Sequence, residues 1–139
     1  MSQKLMLVKY VLENEIPIDE SAKSLQSTYI PDELVEQMEE KGWVSNIEIK
    51  ESEGGVADVP VTMIDDGNGN CVKSILDYIE SMLIKYIEKS NSHISTGILP
   101  SKELESDFSA LRIWLNVREI LKEKAEKYHD NHNIKLIVG

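Results

Sequence analysis

Residues 43–64 read WVSNIEIKESEGGVADVPVTMI. Trp43, Ser45, Ile47 and Ile49 alternate with Val44, Asn46, Glu48 and Lys50, the period-two pattern of a half-buried strand. Val56, Val59, Val61, Met63 and Ile64 form a second apolar segment, and the connector Glu51-Ser52-Glu53-Gly54-Gly55 is short and rich in turn formers. The two segments therefore read as a β-hairpin. Pro60 lacks a backbone donor, so its strand is expected at a sheet edge.

Upstream, residues 4–12 are apolar on both alternating faces, with Leu5, Leu7 and Val11 on one and Met6, Val8, Tyr10 and Leu12 on the other. A strand covered on both sides reads this way; a buried helix reads almost the same, and the strand is the expectation. Pro17 keeps the following stretch extended or looped. Residues 19–27 are expected to form a helical turn opened by Asp19 as N-cap. A clearer helix covers residues 31–41. Pro31 suits its first position, Asp32 and Glu33 suit the positive end of the dipole, and Leu34, Val35 and Met38 make its apolar face. Gly42 is its expected C-cap.

Downstream, Asp65 to Asn70 is a loop and residues 71–89 an amphipathic helix, with Val72, Ile75, Leu76, Tyr78, Ile79, Met82, Leu83, Tyr86 and Ile87 on one side and Ile84 on the other. Residues 90–101 read as a Ser/Asn/Gly/Pro connector, a second long helix runs from Ser101 to about residue 129, and Asn133 to Val138 is a closing strand. The expected fold is α+β in one domain, residues 1–139. It has a small, mainly antiparallel sheet of three or four strands, two long amphipathic helices on one face and a short acidic helix beside them.

The chain has 139 residues and a formal charge of −10, from 25 acids and 15 bases. This argues against direct nucleic-acid binding, which needs a basic surface to release counterions. One cysteine, Cys71, allows no intrachain disulfide, and no apolar run approaches the ~20 residues of a membrane helix. The apolar run Leu5–Leu12 is followed by Glu13-Asn14-Glu15 rather than a small-residue cleavage site, so a cytoplasmic protein is expected. Asp66, Asn68 and Asn70 have the spacing of a calcium loop. However, Cys71 replaces the required glycine and Asp77 the bidentate glutamate, so no metal is expected there. His129 and His132 lack evident further zinc ligands, and no nucleophile–base signature or nucleotide loop exists. Neither a cofactor nor an enzymatic activity is expected.

The charge is concentrated. Residues 13–53 hold twelve acids against Lys23, Lys41 and Lys50, a net of −9. Asp32, Glu33, Glu36, Glu39 and Glu40 surround the short helix, and Glu48, Glu51 and Glu53 extend the negative surface along the hairpin. Spaced carboxylates of this kind steer and seat a basic partner and can imitate phosphates. These eight residues are the candidate partner-binding site of a non-enzymatic inhibitor. An immunity protein, an antitoxin-like inhibitor or a phage anti-defence protein would use them to occlude the basic site of a partner protein, including one that binds nucleic acid.

A second candidate lies on the last helix. Leu104, Phe108, Leu111, Trp114, Leu115, Val117, Leu121, Ala125 and Tyr128, widened by Ile113 and Ile120, cover about two thirds of its circumference at 100° per residue. That width predicts a homodimer or higher oligomer. Arg118 projects into the arc, as an anion clamp, as one half of an ion pair with Asp77, Asp107 or a carboxylate across an interface, or with its stem packed and its guanidinium in water. The alternative function is an inter-subunit pocket for a small anionic ligand such as a nucleotide, lined by Arg112, Trp114, Arg118 and Tyr128.

Overall fold

A computed structural model describes residues 3–50, 58–64, 70–95 and 101–139. In chain order it contains β1 (Gln3–Lys9), β2 (Leu12–Glu13), β3 (Ile16–Pro17), a 3-10 turn at Asp19–Ser21, β4 (Lys23–Ile30) and α1 (Asp32–Lys41). There follow β5 (Val44–Lys50), β6 (Asp58–Ile64), α2 (Asn70–Ser95), α3 (Ser101–Glu126) and β7 (Ile134–Val138). The main sheet has five strands in the order β4-β1-β7-β6-β5, with every neighbouring pair antiparallel. The class is α+β, with one strand more than the three or four expected.

The additional strand is β4, in the stretch expected as a helical turn. Only Asp19–Ser21 is helical there, and Lys23–Ile30 pairs with β1 along its length. The strand lies at the sheet edge and only Ile30 is fully buried, so no clean alternation marks it. A register shift between Leu7 and Val8 leaves Leu25 unpaired and turns it onto the helix-side core, which scrambles the pattern further. Asn14 and Glu15, at φ 52° and 68°, make the tight turn of the β2–β3 hairpin. Ile18 then bridges in parallel to Lys50 on β5. Ser21 fastens this arm: its hydroxyl donates to the Ile18 carbonyl (2.6 Å) and accepts from the Val11 N–H (2.7 Å).

Both faces of the sheet are apolar, as the double pattern of β1 predicts. Leu5 and Leu7 join Ile64, Leu136 and Val138 against the helices, while Val8, Tyr10, Ile49, Met63 and Ile137 form a smaller cluster on the far face. Pro60 corrects the edge-strand expectation, because β6 lies inside the sheet. Its pairing with β7 is confined to Thr62 and Met63, however, so the missing donor at Pro60 costs no ladder bond on that side.

α1 joins one edge strand to the other and crosses the end of the sheet. Leu34, Val35 and Met38 enter the core there, and Val35 and Met38 line a cleft of about 260 Å³ with Gln3, Val44, Thr62 and Gly139. Pro31 is the residue before the first turn rather than in it, and its carbonyl accepts from Leu34 (2.9 Å) and Val35 (3.2 Å). Gly42 ends the helix at φ 69° as expected, with its N–H on the Glu39 carbonyl and the Trp43 N–H on that of Met38. A methyl group at Gly42 would meet no atom within 4 Å, so the cost of Gly42→Ala is conformational alone. We expect it to be about 1 kcal/mol. In a thermal melt that is a fall of about 3–5 °C.

α2 and α3 are antiparallel, and both depart from expectation in length. α2 continues through Ser95 across part of the expected connector, and α3 stops at Glu126. Ser90, Asn91, Ser92 and His93 are indifferent helix formers but not breakers; the breakers Gly97 and Pro100 lie beyond. α3 packs on β4, β1 and β7. Among the side chains described, the last buried residue of α2 is Met82 and the first on α3 is Trp114. The two helices therefore run past the sheet together as a projecting hairpin.

Candidate functional site

α1 brings together five of the eight predicted partner-binding carboxylates. Asp32, Glu33, Glu36, Glu39 and Glu40 are all exposed. At 100° per residue they fall within an arc of about 120°, opposite the buried Leu34 and Met38. Among the described residues none of the five forms a salt bridge. The arrangement works against the helix that carries it. Asp32 and Glu33 favour the first turn, but Glu39 and Glu40 occupy the last turn, where the dipole is negative. Asp32–Glu36 and Glu36–Glu40 are also like-charge pairs at i,i+4, each destabilising by about 0.2–0.5 kcal/mol.

Glu33 faces α2. The Tyr78 hydroxyl is raised above its usual range by burial first, then by the Glu33 carboxylate and by Tyr86. Glu48 is exposed on β5 rather than on α1, in register with Pro60. Glu51 and Glu53 lie outside the described residues.

Within one chain the alternative ligand set is not gathered. Arg112 is exposed on the projecting hairpin, and Trp114 is buried against Tyr78 and Tyr86. Arg118 pairs with Glu80 (3.7 Å), and not with Asp77 among the described side chains; it keeps part of its side chain in solvent, and the side chain of Asp107 lies outside those described. Tyr128 lies beyond the end of α3, its ring under Lys127. Arg112 and Tyr128 are sixteen positions apart, about 24 Å along a helix axis.

Among the described residues no group of His, Cys, Asp and Glu is arranged to hold a metal ion, and no helix is long and apolar enough to cross a membrane. The Asp65–Gly69 part of the calcium-like loop lies outside the described residues. His129 contacts Asp130 (3.0 Å), a pairing not anticipated from spacing, with both side chains largely in solvent.

Two features were not read from the sequence. A cleft of about 370 Å³ beside the start of α1 is lined by Tyr29, Pro31, Asp32, Tyr86, Ile113 and Trp114. It joins residues more than eighty positions apart, and the missed β4 strand hid it. The other is the buried Lys124, whose Nζ donates to the carbonyls of Tyr128 (3.0 Å) and Asn131 (3.1 Å).

No protein-family model, curated protein or solved structure was found to match the chain.

Proposed function

We propose that the chain is a non-enzymatic binding protein that seats a basic partner protein on α1 and occludes that partner's basic site. The observation that carries this reading is the set of five exposed carboxylates on one helix face, without salt bridges among the described residues and partly placed against the helix dipole. Solubility alone does not call for acids where they weaken their own helix. A field of one sign accelerates encounter with a surface of the other sign and fixes its register, with a strong dependence on salt. Inhibition by occlusion, in the manner of an immunity protein, antitoxin-like inhibitor or anti-defence protein, follows if the partner uses that basic surface for nucleic acid.

The test is capture of a basic partner from the host extract at low salt, followed by association kinetics with a Glu36→Lys/Glu39→Lys/Glu40→Lys variant. The association rate should fall at least about tenfold and its salt dependence should flatten. The melting temperature should hold or rise, because lysines suit the last helical turn. Unchanged association kinetics, or capture of no basic protein, overturns the reading.

A further inference from the structure

The outward side of the α2–α3 hairpin carries apolar side chains that lie largely in solvent. Ile84 is 58 % exposed, Ile87 48 %, Phe108 49 % and Leu115 42 %. The Glu80–Arg118 contact fixes the antiparallel register. One turn beyond Glu80 is Ile84, and almost one turn before Arg118 is Leu115, so the two share the outward side of the helix pair. Ile87, expected on the core side of α2, instead continues that stripe, and Phe108, two turns before Leu115, continues it on α3. Tyr86 and Trp114 point the other way, toward the sheet end, where they line the cleft with Ile30. The wide apolar arc of α3 is thus divided: one part is core, and the other is an outward stripe shared with α2.

Charge selects the occupant. Residues 84–115 hold four bases (Lys85, Lys89, Lys102, Arg112) and four acids (Glu88, Glu103, Glu105, Asp107), a net of zero, so the rest of the chain carries the whole −10. A basic partner is drawn to α1 and not to this hairpin. Two copies of so acidic a chain repel over most of their surface but not here. From Glu80 to Ser95 the helix pair is about 24 Å long and about 20 Å wide, a face of roughly 500 Å² in projection. That approaches the ~600 Å² per partner at the lower end of specific interfaces.

We infer that this face takes the same face of a second copy, the two hairpins stacking about a two-fold axis as a four-helix bundle that dissociates on dilution. Ile84, Ile87, Phe108 and Leu115 form its apolar seam, and the Glu80–Arg118 pairs border it. The inference does not rest on the α1 reading, and in this arrangement the α1 helices remain in solvent.

Sedimentation velocity over a concentration series, with hydrogen exchange at the two ends of the series, tests it. The expected result is a monomer–dimer equilibrium with amide protection over residues 84–95 and 101–115 that increases with concentration. Leu115→Glu and Ile84→Glu should each raise the dissociation constant at least tenfold with an unchanged melting curve of the dilute protein. A wild type that stays monomeric at 200 µM overturns the inference. So does a dimer that survives both substitutions, or concentration-dependent protection confined to β4 or α1. The exchange experiment on the wild type decides the matter even if a variant fails to fold.

Discussion

Trp114→Ala is expected to lower the unfolding free energy by about 4 kcal/mol, within the range for deleting a large buried aromatic side chain. Trp114 is 1 % exposed and is among the largest side chains fully enclosed in the core. Its ring centroid lies 6.0 Å from Tyr78 and 6.4 Å from Tyr86, both on α2, and Tyr78 lies 6.3 Å from Trp43 at the head of β5. One ring on α3 thus fixes α2 at two points a little over two turns apart, at the place where both helices leave the sheet. Each such aromatic pair contributes about 0.5–1.5 kcal/mol beyond area burial. Domains of this size have only about 5–15 kcal/mol in total, so the variant should be marginally folded at 37 °C. Urea denaturation measures the change. Trp114→Phe, which keeps an aromatic ring at the site, should lose less than half as much. A loss below 1.5 kcal/mol for the alanine variant would mean that the two helices do not meet around this residue.

Lys124→Met should cost about 2 kcal/mol, the penalty for leaving polar partners of a charged donor unsatisfied. The side chain is 4 % exposed, and its ammonium group holds the carbonyls of Tyr128 and Asn131, which close the turn between α3 and β7. A cation here also suits the negative end of the α3 dipole. Methionine matches the stem but supplies no donor, so the loss isolates the hydrogen bonds from the packing. Denaturation gives the magnitude. Hydrogen exchange at Asn131 and Ile134, whose amides donate to the Tyr128 and Asn131 carbonyls, should show faster opening before the rest of the sheet responds. Equal exchange in variant and wild type would remove Lys124 from the closure of this turn.

What the sequence made legible was what is periodic and local. α1 with its glycine cap, the β5–β6 pair, the doubly apolar β1 and the two long helices all follow from alternation, helical spacing and terminal residues. β4 escaped because an edge strand buries little and because the bulge at Leu25 breaks its alternation. The β2–β3 hairpin escaped because its turn is Asn14-Glu15, with a glutamate at φ 68° where glycine is the usual signal. The acidic face of α1 was legible because all five residues lie on one helix. Glu48 could not be placed relative to it, since strand position depends on pairing across the sheet. Arg118 stood out, but its partner Glu80 lies on another helix and is fixed only by how the two helices align. The breadth of the α3 arc was plain from spacing alone. Its division between core and outward stripe depends on which face of the helix the sheet and α2 cover.

The position of β7 has a consequence for how the protein is made. This last strand lies between β1 and β6, with partners from Lys9↔Ile134 to Leu5↔Val138, 125 to 133 positions apart in the chain. Without it the sheet separates into two ribbons, β4–β1 and β6–β5, and a two-stranded ribbon is at best marginal alone. A ribosome therefore releases both ribbons, and the apolar helices between them, well before the strand that joins them exists. The sheet cannot close until β7 has been made and, with contacts of such long range, its folding is expected to be slow for its size. A chain stalled a few codons short of Ile134 would display two unfinished edges, and would be a natural client for chaperones and proteases.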